Sequence, residues 1–313
     1  MNVLSLFDGM SGTQLALKKL GIKVDKYYAS EIDKYAIKVT QANFPDTIQV
    51  GDVTKLNVNS HIDLLVMGSP CQDLSFASRD KKGLEGERSG LFFEGLRLVK
   101  ACLAINPNLK VLVENVRMTK SNQDRMTKAL SDVMGQVIEP VAINSNIFSA
   151  QNRYRLYWTN LSIPTLPKDK GIVMNDILEN GFSDRDKSFC IDASYFKGGN
   201  LRSYFEKNRR QLVFSKDGLC HVGDADLNGQ DAIKRVYHAN GKSPTLTTMQ
   251  GGHREPKVYI ENLKYRKLTP LECERLQTVP DNYTNHVSST QRYKMLGNGF
   301  TIDTICHILT ELK

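Results

Sequence analysis

The sequence predicts an α/β fold built on a mostly parallel sheet, followed by a smaller, loop-rich second domain. Short apolar and β-branched runs alternate with amphipathic helical patterns through the first half of the chain, which is typical of βαβ units. After about residue 180 the helical period fades, and Gly and Asn become frequent. The 313 residues, 40% of them hydrophobic and 24% charged, are sufficient for a large globular core.

Seven segments have the length and composition of strands. In chain order they are Val3–Phe7, Lys26–Ser30, Ile48–Val50, Leu64–Gly68, Val111–Glu114, Val141–Asn144 and Arg155–Thr159. Helical patterns lie between them, for example in residues 89–104, where apolar side chains recur every three to four positions. Apolar positions from Ile302 to Leu312 share one helical face, and we expect this last helix to return to the first domain.

These patterns divide the chain into a first domain, residues 1–180 and 290–313, and a second domain, residues 181–289. The net charge of +8 permits a polyanionic partner, although a slightly basic globular protein carries the same charge. Basic residues cluster in the second domain at Arg202, Lys207, Arg209 and Arg210. This cluster is compatible with a nucleic-acid surface and equally with a solvated basic face.

Several classes of protein and site are excluded by simple features of the sequence. No apolar run approaches the ~18 residues that span a bilayer, and the N-terminus lacks the pattern of a signal peptide. The six cysteines are far apart in sequence, so neither a CxxC pair nor a zinc-ligand spacing is present. We therefore expect a cytoplasmic protein with reduced thiols, no metal site and no membrane partner.

Polar residues and glycines follow the first three predicted strands, at the sheet edge where α/β proteins bind ligands. The first strand leads into Phe7-Asp8-Gly9-Met10-Ser11-Gly12, whose glycines allow close backbone approach at a helix N-terminus. Glu31 and Asp52 follow the second and third strands. The spacing favours a nucleotide-like cofactor, although ordinary turns have the same sequence pattern. The chain lacks the GxGxxG fingerprint, which argues against NAD as that cofactor.

Reactive side chains follow the later strands. Cys71 comes directly after Pro70 beyond the fourth strand, where a rigid loop would present a thiolate nucleophile. Glu114 ends the fifth strand and is a candidate general acid. Arg153 and Arg155 alternate at the start of the seventh strand, so both face one side and could hold a carboxylate, carbonyl or phosphate. A buried structural cysteine and structural ion pairs are the alternatives.

Taken in order, these motifs resemble the C5-cytosine DNA methyltransferases of the single-chain bacterial and phage type. The resemblance is carried by Phe7-Asp8-Gly9-Met10-Ser11-Gly12, Glu31, Gly51-Asp52, Gly68-Ser69-Pro70-Cys71-Gln72, Glu114-Asn115-Val116, Gln151-x-Arg153-x-Arg155, Ser243-Pro244-Thr245-Leu246-Thr247, Arg266-Lys267-Leu268-Thr269-Pro270, Glu274-Arg275-Leu276-Gln277 and Leu296-Gly297-Asn298-Gly299-Phe300. It implies a Rossmann-like class I methyltransferase domain that binds S-adenosylmethionine, formed by residues 1–180 and 290–313. Residues 181–289 would form the target-recognition domain.

The resemblance also implies a reaction, in which a methyl group passes from S-adenosylmethionine to C5 of a cytosine flipped out of double-stranded DNA within a short specific sequence. Cys71 would add to C6, Glu114 would hydrogen-bond N3 and the exocyclic amine, and Arg155, supported by Arg153, would hold O2. The cofactor-binding residues would be Phe7, Asp8, Gly9, Gly12, Glu31, Ile32, Asp52, Val53, Pro70 and Asn298.

The candidate DNA contacts are polar and basic side chains. They are Gln72, Ser75, Arg202, Arg209, Arg210, Lys234, Arg235, His238, Gln250 and Arg254. Each basic candidate fits a phosphate contact or a solvated charge better than base readout. We expect a monomer in the cytoplasm of a bacterial or phage-infected cell, either partnered by a cognate restriction endonuclease or acting alone.

Three alternative functions stay open on the sequence. One branch of the family methylates tRNA, but it typically carries a Cys-Phe-Thr tripeptide that this chain lacks. A catalytically silent DNA-binding relative would usually have lost the cysteine or the glutamate, whereas Cys71 and Glu114 are both present. A hydride-transferring Rossmann enzyme would need the glycine-rich fingerprint that is missing.

Overall fold

A seven-stranded sheet organises the computed structural model, which describes residues 1–69, 87–214, 221–224, 235–238, 257–259 and 265–313. Its strands are β1 Asn2–Leu6, β2 Lys26–Ser30, β3 Ile48–Gln49, β4 Leu64–Gly68, β5 Lys110–Val116, β6 Val141–Asn144 and β7 Tyr154–Thr159. They lie in the order β3-β2-β1-β4-β5-β7-β6. The first five strands in this order, β3, β2, β1, β4 and β5, are parallel to one another. In this sheet only β7 runs antiparallel to its neighbours, which are β5 and β6. The predicted mostly parallel α/β fold is confirmed.

Helices cover both faces of this sheet. The described helices are α1 Gly12–Leu20, α2 Lys34–Asn43, α3 Glu87–Ile105, α4 Lys120–Met134, α5 Met174–Ile177, α6 Leu201–Lys207, α7 Pro270–Leu276, α8 Ser289–Asn298 and α9 Ile302–Ile308. Successive strand residues point to opposite faces, so Val3 and Val66 join the apolar cluster with α1 and α9, whereas Leu4 and Met67 join the cluster with α3 and α4. Covered faces on both sides explain why these strands are continuously apolar.

The strand order places a crevice between β1 and β4. From β1 the chain winds outward through β2 and β3, then returns to β4 on the other side of β1 and continues to β5. Strands β1 and β4 are paired in register, with Leu6 opposite Met67, so both end at the same sheet edge. Such a switch in winding direction is where open α/β sheets bind ligands.

The last helix packs back on the first helix of the chain. Helix α9 packs on α1, where the Sγ of Cys306 lies 3.6 Å from the carbonyl oxygen of Ala16, and Asp303 pairs with Lys19. Ile302, Ile305 and Ile308 are fully buried in the same apolar cluster. The C-terminal end of the chain therefore packs against α1 and the sheet.

The second half of the chain contains short strands in two small sheets. Strands β8 Leu212–Phe214 and β12 Tyr265–Lys267 form an antiparallel pair. Strands β9 His221–Asp224, β10 Arg235–His238 and β11 Lys257–Tyr259 form a three-stranded sheet in the order β11-β10-β9.

The division into two domains stays a prediction, but one observation concerns its boundary. Cys273 and Leu276 of α7, which the sequence analysis assigned to the second domain, are buried in the apolar cluster that contains Leu17 and Ile302. Tyr283 donates a hydrogen bond to the carbonyl of Met10 at 2.7 Å. This part of residues 181–289 therefore packs against residues of the predicted first domain.

Two further expectations concern membranes and thiols. Among the described residues, no helix combines the length and apolar character that crossing a bilayer requires. The four described cysteines, Cys102, Cys190, Cys273 and Cys306, are all free thiols.

Candidate active site

A cavity of about 500 Å³ lies at the carboxyl ends of β1, β2, β4 and β5. Residues 291–300 of α8 and the following turn close its far side. Every predicted cofactor residue that the structure describes lines this cavity, namely Phe7, Asp8, Gly9, Gly12, Glu31, Ile32, Asp52, Val53 and Asn298. Glu114, Arg153 and Arg155 line it too, so the two predicted sets of residues share one space.

The turn between β1 and α1 is held in an unusual backbone conformation by Asp8. Phe7 and Ser11 both have positive φ angles, of 57° and 60°, which non-glycine residues rarely adopt. The buried Asp8 carboxylate accepts hydrogen bonds from Ser11 Oγ at 2.5 Å and Tyr27 Oη at 2.7 Å. Burial raises the pKa of Asp8 to about 6, an effect that the hydrogen bonds from Ser11 and Tyr27 partly offset. Asp8 therefore shapes the turn through contacts inside the protein.

Glu31 connects this turn to the start of α2. Its Oε2 accepts the backbone N–H of Gly9 at 2.8 Å, and its Oε1 accepts those of Ile32 and Asp33, each at 2.8 Å. Three fixed backbone donors thus orient the carboxylate at the cavity wall. The neighbouring Ile32 side chain is 75% exposed, which is unusual for a large apolar residue and gives the cavity an apolar rim.

Asp52 follows β3, the strand that pairs with β2, and also lines the cavity. Its Oδ1 accepts hydrogen bonds from the backbone N–H and the hydroxyl of Thr54, both at 2.9 Å, and so caps the short 3-10 helix Val53–Lys55. The hydrogen bond from the Thr54 backbone is the main cause that lowers the pKa of Asp52. The group is therefore a carboxylate at neutral pH, available as an acceptor.

Glu114 and Arg155 form an ion pair on the floor of the cavity. The Arg155 Nε lies 3.0 Å from Glu114 Oε1, and both side chains are largely buried. Glu114 pairs in the sheet with Gly68, the last residue of β4. Next to it, Asn115 Nδ2 donates to the Ser69 hydroxyl at 3.0 Å, which fixes the chain just before Pro70.

Arg153 has a different set of partners, although both arginines face the cavity. Its guanidinium is buried and donates to the carbonyl oxygens of Ile191 at 3.2 Å, Gly297 at 3.2 Å and Gly299 at 2.7 Å. Arg153 thus holds the turn after α8 against residues near 191. Cys190 lies beside both arginines, its Sγ 3.3 Å from Arg153 Nη1 and 4.0 Å from Arg155 Nη2.

Some predicted residues fall outside the described part of the chain. These are Pro70, Cys71, Gln72, Ser75, Lys234, Gln250 and Arg254, while Arg235 and His238 are described only as backbone of β10.

Three of the predicted DNA contacts are described with their side chains. Arg202 is 80% exposed and pairs with Glu206, and Arg209 lies 3.4 Å from Asp192. Arg210 donates internally to the carbonyl of Gly198 at 2.7 Å. Arg202 and Arg209 are accessible to a partner, whereas Arg210 is engaged in the local fold.

Sequence reasoning missed several residues that form the cavity wall or support it from behind. Lys294 of α8 pairs with Asp33 at 2.7 Å across 261 positions of sequence, and no local pattern signals that contact. Phe300 lies against Gly68, and both belong to motifs that carry the family resemblance, but the motifs alone do not indicate that these two residues meet at the site. Tyr27 occupies an ordinary strand position, and only its Asp8 contact gives it a role.

Comparisons with known proteins show the family of the chain. A sequence model of the C-5 cytosine-specific DNA methylase family matches residues 1–313. The chain belongs to this family. This membership confirms the predicted enzyme class, a DNA (cytosine-5-)-methyltransferase.

Named relatives cover almost the whole chain. The orphan methyltransferase M.SPBetaI of Bacillus phage SPbeta is 29% identical, over 100% of this chain and 97% of its own length. The type II methyltransferase M.HhaI of Haemophilus parahaemolyticus is 28% identical, over 98% of this chain and 93% of its own length. These two relatives are, by their names, an orphan methyltransferase of a phage and a type II methyltransferase of a bacterium.

Solved structures of the same fold include eukaryotic proteins. The Entamoeba histolytica methyltransferase EhMeth superposes with a TM-score of 0.68 at 17% identity, covering 100% of this chain and 97% of its own. A mutant of the Spodoptera frugiperda protein DNMT2 superposes with a TM-score of 0.66 at 18% identity, covering 99% of each chain. At these identities the likeness supports the Rossmann-like methyltransferase fold of the C-5 cytosine-specific DNA methylase family.

Proposed function

We propose that this chain transfers a methyl group from S-adenosylmethionine to C5 of a cytosine flipped out of double-stranded DNA, within a short specific sequence. The observation that supports this most is the shared cavity. Glu31 and Asp52 line it on one side, and the Glu114–Arg155 pair lines it on another. A methyl donor and a base held by these two sides would meet in one enclosed space, as a direct group transfer requires.

The cavity fits S-adenosylmethionine in size and in polarity. Its volume of about 500 Å³ is typical of small-molecule sites. Glu31 uses three backbone donors, and since a carboxylate has about four acceptor positions, it can still accept a ribose hydroxyl. The Oδ1 of Asp52 is occupied by Thr54, which leaves Oδ2 for the adenine amine. Phe7 and Ile32 would pack on the adenine, while Pro70 and Asn298 would shape the methionine end.

The Glu114–Arg155 pair suits the edge of a cytosine. N3 and O2 are neighbouring acceptor positions on that ring, so two side chains 3.0 Å apart can bind them together. Glu114, carrying a proton on one oxygen, would donate it to N3 and would accept from the exocyclic amine with the other oxygen, and Arg155 would donate to O2. The hydrogen bonds donated to N3 and O2 strengthen as negative charge develops on the ring, so they favour the transition state over the free base.

Cys71 would supply the covalent step. Its thiolate adds to C6, which forms an S–C6 bond and makes C5 nucleophilic. S-adenosylmethionine, when bound, supplies the electrophilic methyl group that C5 takes. After a base removes the C5 proton, the S–C6 bond breaks by β-elimination and Cys71 is regenerated. Arg153 would act indirectly, because its hydrogen bonds hold the backbone of Gly297 and Gly299 at the cavity wall.

Base flipping explains why the reaction needs a second domain. C5 of a stacked cytosine is inaccessible, and extruding the base costs a few kcal/mol. The net charge of +8 favours a nucleic-acid partner, which would supply contacts to offset that cost. We assign target recognition to residues 181–289, and expect a monomer that acts either with a cognate restriction endonuclease or alone.

Bisulfite sequencing of DNA from cells that lack cytosine methylation tests the proposal. Expression of the wild-type chain is expected to methylate cytosines in one short motif, and Cys71→Ala to abolish this because no S–C6 bond can form. Cys190→Ala is the matched control, since Cys190 is the thiol that the described residues place beside Arg153 and Arg155. We expect Cys190→Ala to methylate normally.

Other outcomes identify which part of the proposal fails. Loss of activity in Cys190→Ala together with full activity in Cys71→Ala would show that Cys71 is not the nucleophile. No DNA methylation by soluble wild-type protein, together with methylation of tRNA assayed in parallel, would replace DNA by RNA as the substrate.

A further inference from the structure

An aromatic ring separates two glycines in the cavity wall. Phe300 follows the turn after α8 and lines the cavity. A Cβ atom placed on Gly68 would lie 3.1 Å from its Cε1 and Cζ, and one on Gly12 would lie 3.4 Å from its Cδ2. The ring therefore lies directly on the backbone at the end of β4 and at the start of α1. Because Gly68 and Gly12 have no side chains, neither residue places side-chain atoms between its own backbone and the ring.

The ring lies where the predicted cofactor residues meet the predicted base-binding pair. The Oε2 of Glu114 is 3.6 Å from the same Cβ position on Gly68 that the Phe300 ring approaches. Glu114 and the Phe300 ring thus surround one point on β4. If Glu114 and Arg155 hold the cytosine, the donated methyl must come within about 3–3.5 Å of C5, close to this point.

An aromatic residue at this position can interact with the positive charge of the methyl donor. The sulfur of S-adenosylmethionine is a positively charged sulfonium, and after the methyl has left it is a neutral thioether. An aromatic ring attracts a nearby cation through its quadrupole, whereas an aliphatic side chain of the same volume only fills space. The two arginines that line this end of the cavity, Arg153 and Arg155, are engaged with backbone carbonyls and with Glu114.

We propose that the Phe300 ring binds the sulfonium of S-adenosylmethionine and makes the site prefer this charged donor over the neutral product S-adenosylhomocysteine. The inference rests on the proposed cofactor, and it assigns Phe300 a specific electrostatic role in selecting that cofactor. Preference for the donor would also speed the exchange of product for fresh donor between turnovers.

Calorimetric titration of the full chain without DNA tests the preference directly. Phe300→Leu keeps the apolar bulk and removes the quadrupole. We expect it to weaken binding of S-adenosylmethionine by about tenfold, within the range of cation–π contacts, and binding of S-adenosylhomocysteine by less than about twofold. Sinefungin, which carries an amine in place of the sulfonium, is expected to follow S-adenosylmethionine.

Two further variants control for packing. Ile32→Ala removes an exposed apolar contact at the rim of the cavity, far from Gly68 in the sequence. Since the adenosine part is common to both ligands, Ile32→Ala is expected to weaken both equally. Pentafluorophenylalanine at position 300 keeps the shape of the ring but reverses its quadrupole, and it is expected to lose the preference even if Phe300→Leu misfolds.

The outcomes separate this inference from the proposed function. Equal weakening of the charged and neutral ligands in the Phe300 variants would overturn it and leave Phe300 as a packing residue. A wild-type chain that binds neither ligand would instead overturn the proposed cofactor, and this inference with it. A selective loss of the charged ligands would support both.

Discussion

At the scale of single residues, the cavity depends on polar groups that the protein keeps in fixed positions. Asp8 is buried and accepts two hydroxyl hydrogen bonds, Glu31 accepts three backbone N–H groups, and Arg153 donates to three carbonyls. Buried polar groups of this kind are costly unless they are paired, so their partners fix the geometry of the surrounding turns. Of these three residues, Asp8 is the one whose shifted pKa makes the free energy of unfolding depend on pH.

Asp8→Asn is expected to remove a pH dependence of folding. Burial raises the pKa of Asp8 from 3.8 to about 6, so the folded chain binds this proton more tightly than the unfolded chain. Its contribution to stability is therefore present at low pH and is lost as pH rises through about 6. Between pH 5 and pH 8 the wild type should lose about 1.4 kcal/mol of unfolding free energy relative to Asp8→Asn.

Urea unfolding followed by the fluorescence of Trp158, the single tryptophan, measures this difference. Trp158 is buried in β7 and reports on the sheet. Asp281→Asn is a control, because the hydrogen bond from Arg275 lowers the pKa of Asp281 and its proton uptake lies below this pH range. Parallel pH profiles for wild type and Asp8→Asn would contradict the assignment.

At the scale of elements, the end of α8 is the critical junction of the fold. A Cβ on Gly297 would lie 2.2 Å from the backbone carbon of Asp192 and 2.4 Å from the nitrogen of Ala193. Helix α8 therefore packs backbone to backbone on the segment near 192, and Arg153 ties both of them together. The contact joins a C-terminal motif to a segment assigned to the second domain.

Gly297→Ala is expected to destabilise the chain, because α8 or residues 192–193 must move to admit a methyl group. Overpacking of this kind costs about 1–3 kcal/mol. Gly90→Ala in α3 is the matched control, since no described atom lies within 4 Å of its Cβ position and the helix favours Ala over Gly by about 0.5–1 kcal/mol. Thermal unfolding should therefore shift down for Gly297→Ala and up for Gly90→Ala. Equal shifts would contradict this packing.

At the scale of the whole molecule, the positive charge is the property that a DNA substrate would use. Lys and Arg number 42 against 34 Asp and Glu. A duplex is bound with release of counterions, so each phosphate contact adds about one unit to the dependence of affinity on salt. Surface arginines of the second domain are the expected source of such contacts.

Arg202→Ala is expected to weaken binding to duplexes of any sequence and to reduce the salt slope by about 1. Lys128→Ala is a matched control in the first domain. Both residues are exposed, by 80% and 75%, and each pairs with an acid four positions later in its helix. Fluorescence anisotropy across a salt series measures both slopes. An unchanged slope for Arg202→Ala, or an equal change for Lys128→Ala, would exclude this face of α6 from the DNA surface.

The sequence by itself determined the fold class and the location of the candidate site. Strand periodicity and apolar runs record which faces are buried, and polar motifs at strand ends converge wherever parallel strands share an edge. This is why Glu31, Asp52 and Glu114, predicted from three separate motifs, line one cavity. The motifs also identify the family without any contact being known.

Only the tertiary structure decided which of the motif residues touch each other. Arg153 and Arg155 look alike in sequence, but the antiparallel pairing of β7 with β5 directs Arg155 to Glu114, while Arg153 binds the turn after α8. The Lys294–Asp33 pair and the packing of α7 into the first domain join residues that are distant in sequence. The physical reason is that local periodicity encodes burial, whereas pairing partners depend on how the whole chain closes.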